Sequence, residues 1–278
     1  MILNSVSTLV IATLACFHCL NMKIATRDLN RIYSAPLQKR HYIAAKNMFT
    51  LYARPFDAYM RYLCGTGDYP TEVTVKTPSG SIPLTVYSSH DLLTVNEIFC
   101  REDYKLDGRD QVIVDFGSNI GISAAYFLSR NTRNFAYLFE PVSRNVQRLT
   151  ANLKGFEDRY ELSSVAIALE AGVVAFGCEK TGRYGGIGKL TDDTIQVEAV
   201  AANDVLGAII ARHGHIDILK IDIETLERQV VENLTVKLAK RILTCYVEYP
   251  FVNNPLSRTH QMVRYGPVAQ FRSLTYDA

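Results

Sequence analysis

Residues 112–128, VIVDFGSNIGISAAYFL, constrain this chain more than any other stretch. Residues 111–114 form a short apolar run rich in β-branched side chains, the pattern of a strand buried on both faces. Asp115 ends the run, and a turn carrying Gly117, Ser118, Asn119 and Gly121 follows. From Ile122 onward, Ser, Ala and large apolar residues take up helical spacing. A strand, a glycine turn and a helix in this order gather backbone N–H groups at the positive end of a helix. Missing side chains there let a ligand come close. The plainer alternative is an ordinary strand-to-helix turn with chance glycines.

The dinucleotide fingerprint is Gly-x-Gly-x-x-Gly. Here Asn119 takes the middle position and Ile122 stands where a third Gly belongs, which disfavours a nicotinamide oxidoreductase. The pattern D-x-G-x-N-x-G, with Asp115, Gly117, Asn119 and Gly121, resembles the S-adenosylmethionine loop of class I methyltransferases. That cofactor has no pyrophosphate, so its loop holds an amino-acid end and a ribose. Residues 135–139 read as the next strand, with Glu140 at its carboxyl end, 19 residues beyond Gly121. An acidic residue at that distance in a doubly wound sheet accepts hydrogen bonds from ribose hydroxyls. Capping of a helix over residues 142–153 is the other role open to Glu140.

A chain of 278 residues can bury a full core, and its net charge of +2 without a long basic run gives no sign of a nucleic-acid partner. Among the six cysteines only Cys16 and Cys19 form a C-x-x-C, with no second ligand pair. Buried reduced thiols in a cytoplasmic setting, and no metal site, are expected. Residues 8–20 are apolar but too short for a membrane span, and no Lys or Arg precedes them as a secretory signal requires. A packed or dimer-forming helix is expected there, with contact to a membrane surface as the alternative.

Residues 1–70 read as a mainly helical extension, in which the aromatic stripe of residues 47–63 serves a core or an interface. Residues 71–108 read as a β-hairpin around Pro78-Ser79-Gly80 followed by a helix over 91–104. Residues 109–278 form the main α/β domain. Its third strand spans residues 159–168, and Val165, Ala166 and Ile167 beyond it face an adenine ring or are simply core. Strands at 172–176 and 195–200 flank a glycine-rich loop with Arg183 and Tyr184. The loop is either a substrate lid or a hairpin tip without chemistry. Asn203 caps a helix to about Arg212, residues 253–265 are helical, residues 268–276 are a strand, and His260 lies at the surface.

A second informative stretch is DILKIDIETLE, residues 217–227. Alternation along a strand points Lys220, Asp222 and Glu224 the same way. The strand at 241–247 ends in Glu248, so Asp222 and Glu248 share the rim where α/β sheets bind ligands. Charges in that position cost free energy unless they serve a site. A structural ion pair, Lys220 with Glu248 for instance, is the alternative.

VIVDFGSNIG, LFEP, DILKIDIETLE and YVEYP, preceded by NEIFCREDY, resemble in order the motifs of FkbM-type S-adenosylmethionine-dependent methyltransferases over roughly residues 71–278. The resemblance implies a Rossmann-like sheet, mostly parallel with an antiparallel C-terminal strand and helices on both faces. It implies O-methylation of a sugar or another small hydroxylated metabolite. Asp115, Gly117, Ser118, Asn119 and Gly121 would then hold the methionine end, Glu140 the ribose, and Val165 and Ala166 the adenine. Asp222 is the candidate base, also beside the cofactor, with Lys220 and Glu248 tuning it. Glu224, Arg183 and Tyr184 would face the acceptor. Thr225 departs from the family, which commonly has Gly there. Metal-assisted transfer, a non-catalytic cofactor-binding scaffold, and a homo-oligomer formed through the N-terminal region are the competing readings.

Overall fold

The computed structural model describes residues 39–64, 67–106, 109, 111–179, 185–188 and 193–275. The apolar run 8–20, Arg183 and Tyr184 lie outside the described residues. A compact unit extends over Ala44–Ala278.

Helices α1 (Lys39–Leu51) and α2 (Pro55–Cys64) lead into the antiparallel hairpin β1 (Thr71–Thr77) and β2 (Gly80–Val86). Period-two alternation sends Val73, Val75, Ile82, Leu84 and Val86 inward. Met48, Tyr52 and Ala58 join the same core, and Tyr52 bridges Val75. Parts of α1 and α2 and of the link between them therefore pack with the hairpin through these three residues. Helix α3 (Ser89–Val95) starts on Ser88, whose hydroxyl accepts from Asp91 N. It continues as a π turn, Asn96–Cys100, that buries Ile98, Phe99 and Cys100. The helix expected over 91–104 thus starts earlier and stops at Cys100.

The domain proper runs β3 (Val112–Phe116), α4 (Ile122–Arg130), β4 (Phe135–Phe139), α5 (Ser143–Asn152), β5 (Tyr160–Ser163), β6 (Ala166–Ala168), β7 (Gly172–Cys178), β8 (Gly185–Ile187) and β9 (Asp193–Ala201). It continues with α6 (Ala202–His213), β10 (Ile216–Ile221), α7 (Glu227–Glu232), α8 (Val236–Ala239), β11 (Ile242–Val247), β12 (His260–Tyr265) and β13 (Val268–Ser273). Seven strands form one sheet in the order β12-β13-β11-β10-β3-β4-β5. The five from β11 to β5 are parallel, while β13 runs antiparallel to β11 and β12 antiparallel to β13. Ile113 and Ile218 pack on one face with α4 and Leu149 of α5; Val114, Leu219 and Ile221 pack on the other with Leu206 and Val230. The result is a mostly parallel α/β sheet with helices on both faces.

Five local expectations change. Asp115 does not end its strand but sits inside β3, fully buried. The third strand splits, because β5 stops at Ser163 while β6 joins a second sheet of order β6-β9-β7-β8. Asn203 is not a cap: β9 runs straight into α6 through Ala201, and the Asn203 amide donates instead to Asn233 O. Residues 253–259 are turns, not helix, since Asn254 accepts from Leu256 N and donates to His260 O. His260 then opens β12 as a buried residue, its ring nitrogens bonded to Ile242 O and Thr259 Oγ1. Burial pushes its pKa down, so it is a structural histidine.

Candidate functional site

Strand register builds the site. Lys220 of β10 pairs with Asp115 of β3 on one side and Tyr246 of β11 on the other. Alternation then sets Asp222 and Glu248 in the next row, at the carboxyl edge of the sheet. Lys220 Nζ donates to Asp115 Oδ1 at 3.0 Å and Gly117 O at 3.1 Å, and lies 3.2 Å from Asp222 Oδ2. All three ammonium donors therefore have acceptors. The second oxygen of Asp115 accepts from Ser123 Oγ at 2.6 Å. Burial opposes the charge on Lys220, but Asp115 and Asp222 outweigh it and hold the pKa above that of a free lysine.

The loop after β3 is pinned by the neighbouring strand. Gly117 N and Ser118 N both donate to Phe139 O, Asn119 N donates to Glu140 Oε2, and Gly121 N donates to Ser118 O. These N–H groups are spent within the protein, so the loop is not the open anion grip that the glycine spacing suggested. Its glycines act by close approach. Gly117 has φ +82°, and a Cβ there would lie 1.8 Å from Asp222 O. Only glycine lets β3 and β10 converge at this point.

Glu140 lies just past β4 and is almost fully buried. Its Oε1 accepts from Val142 N at 3.0 Å and Asn145 Nδ2 at 3.2 Å, and its Oε2 accepts from Asn119 N at 3.0 Å. A carboxylate offers about four acceptor directions, so room for a further donor such as a ribose hydroxyl remains. Glu140 also holds the chain that enters α5, through Val142 N and the Asn145 amide. Burial raises its pKa to about 7, against the lowering effect of Val142 N, Asn145, Asn119 N and Lys220.

One cavity takes in Gly117, Ser118, Asn119, Glu140, Val165, Ala166, Ile167, Lys220, Asp222, Glu224 and Glu248. The structure thus brings together most of the residues singled out from the sequence. Asp115 and Gly121 are not on its wall; Asp115 reaches the cavity through Lys220 and Ser123, and Gly121, at φ +85°, starts α4 against Leu149. The ion pair of Lys220 is with Asp115 and Asp222, not primarily with Glu248. Glu248 instead lines the cavity with Asp222, whose charge together with burial holds the Glu248 pKa well above the usual carboxylate range.

Several cavity residues were not assigned a role from the sequence. Glu97 and Arg101, four apart on the π turn, form an ion pair at 3.1 Å, and Arg101 also clasps Asp103. Tyr104 is buried 5.8 Å below Lys220 Nζ, and burial with Asp222 and Glu248 nearby raises its pKa. The motif NEIFCREDY carries these residues. A π turn, which often marks a functional segment, has no distinct sequence pattern.

On the opposite rim, Glu224 and Thr225 have φ values of +55° and +75°. A β-branched residue in this region is an outlier. The Thr225 hydroxyl donates to Ile187 O at 2.9 Å, tying the end of β10 to β8. At Gly185 an added Cβ would strike the Phe176 ring at 2.5 Å, and at Gly186 it would press on Glu224 and Thr225. These two glycines serve tight packing, whatever lies between them and β7.

The raised pKa of Glu140 has a stability consequence. A group whose folded pKa exceeds its unfolded value contributes stability below the unfolded pKa, and loses it as pH rises through the folded value. The ligand-free protein is therefore expected to lose on the order of 3 kcal/mol from Glu140 between pH 4.5 and about 7. Urea unfolding across this range measures the slope. Glu140→Gln should flatten it, and an unchanged slope in that variant would contradict the assignment.

Comparison with known proteins adds to this geometry. The methyltransferase FkbM domain matches residues 115–272. The chain belongs to the FkbM methyltransferase family. This FkbM-family chain is also 32% identical over 98 residues to the AMB antimetabolite synthetase AmbE of Pseudomonas aeruginosa, a stretch covering 34% of this chain and 5% of that protein. The chain thus spans about a twentieth of that relative's length. Among solved structures, methyltransferase FkbM from Methylobacillus flagellatus KT aligns at 13% identity over 66% of this chain and 54% of its own, with a TM-score of 0.40. A methyltransferase from Geobacter sulfurreducens aligns at 18% identity over 60% of this chain and 73% of its own, with a TM-score of 0.37.

Proposed function

We propose that this FkbM-family protein transfers a methyl group from S-adenosylmethionine to a hydroxyl of a small hydroxylated metabolite. The observation that carries the proposal is the placement of Asp222. It stands at the carboxyl edge of the sheet, against the side-chain-free Gly117, with Lys220 3.2 Å away and Glu248 on the same cavity wall.

Gly117, Ser118 and Asn119 would lie along the amino-acid end of the cofactor, Glu140 would accept from the ribose, and Val165, Ala166 and Ile167 would wall the adenine. Asp115 and Gly121 act behind this layer, the first by fixing Lys220 and the second by starting α4. The bound cofactor supplies an electrophilic methyl group on a sulfonium. The protein's own work is alignment and proton removal. Holding two reactants in line contributes roughly 7–11 kcal/mol. Asp222 takes the acceptor's hydroxyl proton while Lys220 fixes its orientation, a contribution of about 10² to 10⁴-fold. Glu248, whose pKa is raised by the Asp222 charge and burial, tunes the base from the same rim. Glu224, beyond the strand end, faces the acceptor side.

The test begins with calorimetry. S-adenosylmethionine and S-adenosylhomocysteine should both bind, and Glu140→Ala should weaken that binding about 10- to 100-fold, the scale of lost charge-assisted hydrogen bonds. Labelled-methyl transfer to a panel of sugars and polyols then tests the acceptor class. An unaltered dissociation constant in Glu140→Ala would remove the ribose assignment. Binding without transfer to any hydroxylated acceptor would remove the proposed reaction.

A further inference from the structure

Two consecutive residues after β10 hold a backbone conformation that costs free energy. Glu224 and Thr225, at φ +55° and +75°, are neither glycine nor the Asn and Asp that tolerate this region. Such strain persists only where the surroundings fix it, and it gathers at ligand clamps and active sites. The surroundings here are β8. The Thr225 hydroxyl donates to Ile187 O at 2.9 Å. Gly186 packs so close that a Cβ on it would lie 3.1 to 3.2 Å from Glu224 O, Glu224 Cβ and Thr225 Cγ2.

Among the described residues, β8 is a three-residue edge strand whose one sheet neighbour is β7. The turn at residues 224–225 is therefore its second hold. Gly185 and Ile187 of β8, with Glu224, line the cavity that Asp222 also lines. In the order β6-β9-β7-β8, three strand spacings separate β8 from β6, a distance of roughly 14 Å. That places β8 by Glu224 and the end of β10, away from the wall made by Val165 and Ala166. Thr225 itself is exposed and is not on the cavity wall, so it acts on that wall from behind.

We propose that Thr225 is a positioning residue that fixes β8 against the end of β10 and so sets the size of acceptor that reaches Asp222. The proposal rests on the methyl-transfer reading, in which Asp222 faces the acceptor. The left-handed turn keeps Glu224 on the cavity wall and presents the Thr225 hydroxyl to β8. That hydroxyl holds the Ile187 carbonyl, and Gly185 and Ile187 then bound the acceptor space. The plainer use of the turn is to lead the chain from β10 into α7, with β8 merely in contact.

Thr225→Gly and Thr225→Ser in the full chain separate the two uses. Glycine takes φ +75° without strain but has no hydroxyl, whereas serine keeps the hydroxyl. Labelled-methyl transfer is read on monosaccharides, polyols and disaccharides, beside amide hydrogen exchange over residues 185–188 and S-adenosylmethionine calorimetry. In Thr225→Gly, exchange over this segment should quicken about 2- to 10-fold, the fold-change of one lost neutral hydrogen bond. KM for small acceptors should rise by a similar factor, and kcat/KM for disaccharides should rise relative to monosaccharides. Cofactor affinity should stay unchanged, and Thr225→Ser should match the wild type on each measure. Wild-type exchange or an unchanged acceptor profile in folded Thr225→Gly would overturn the proposal, as would a Thr225→Ser that behaves like Thr225→Gly. A wild type that methylates none of these acceptors would remove the methyl-transfer reading and the proposal with it. An active wild type with an indifferent Thr225→Gly removes the proposal alone.

Discussion

Asp222→Asn is expected to lower turnover by about 10² to 10⁴-fold, the range lost with a positioned base. The substitution keeps nearly the same shape, and Asn can still accept from Lys220. What it cannot do is take the acceptor's proton. Affinity for S-adenosylmethionine, measured by calorimetry, should stay within a few-fold, and the urea midpoint should move little because Asp222 is one-third exposed at the cavity edge. Near-normal turnover in a folded variant would remove Asp222 from the mechanism. An equal loss of binding and turnover would make it a cofactor ligand instead.

Lys220→Met is expected to cost about 3–5 kcal/mol of stability, because it strands a buried carboxylate. Asp115 is fully buried, and without the ammonium it retains only Ser123 as a side-chain partner. Gly117 O would lose a donor at the same time. For a domain of this size the thermal midpoint would drop by roughly 10 °C. The double variant Asp115→Asn with Lys220→Met should recover at least half of the loss, since no buried charge then lacks a partner. A cost below about 1 kcal/mol for Lys220→Met alone would mean that the pair is not what fixes the two strands at this row.

The parts of the fold that were legible in the sequence are those with a local physical cause. The strand at residues 135–139 matches β4, because an uninterrupted run of apolar and aromatic side chains of that length has one stable use in an α/β sheet. The hairpin over residues 71–86 was legible from alternation. What failed depended on contacts from far along the chain. Asp115 looked like the end of a strand because its partner Lys220 is 105 residues away. The split of the third strand is set by β9, which draws residues 166–168 into the second sheet. The segment 260–265 looked helical because an edge strand with one open face has weak alternation; its pairing with β13 across the Gly266-Pro267 turn decides its state.

The site followed the same division. Gly117, Glu140, Asp222 and Glu248 stand at strand ends, where topology alone puts residues near a ligand. Glu97 arrives on a π turn, and Arg101 and Tyr104 on the chain just after it, ahead of β3; nothing in their spacing announced that they line the cavity.

The crosswise row Asp115, Lys220 and Tyr246 also says where this chain can change length. A single residue inserted within β10 would rotate everything after it by one pleat. Lys220 and Asp222 would swing toward the face of Leu219 and Ile221, into apolar packing, while Asp115 and Gly117 kept their places. Changes in chain length are thus expected to be tolerated in the connections and not inside β10, where the two-residue spacing from Lys220 to Asp222 keeps both on one face.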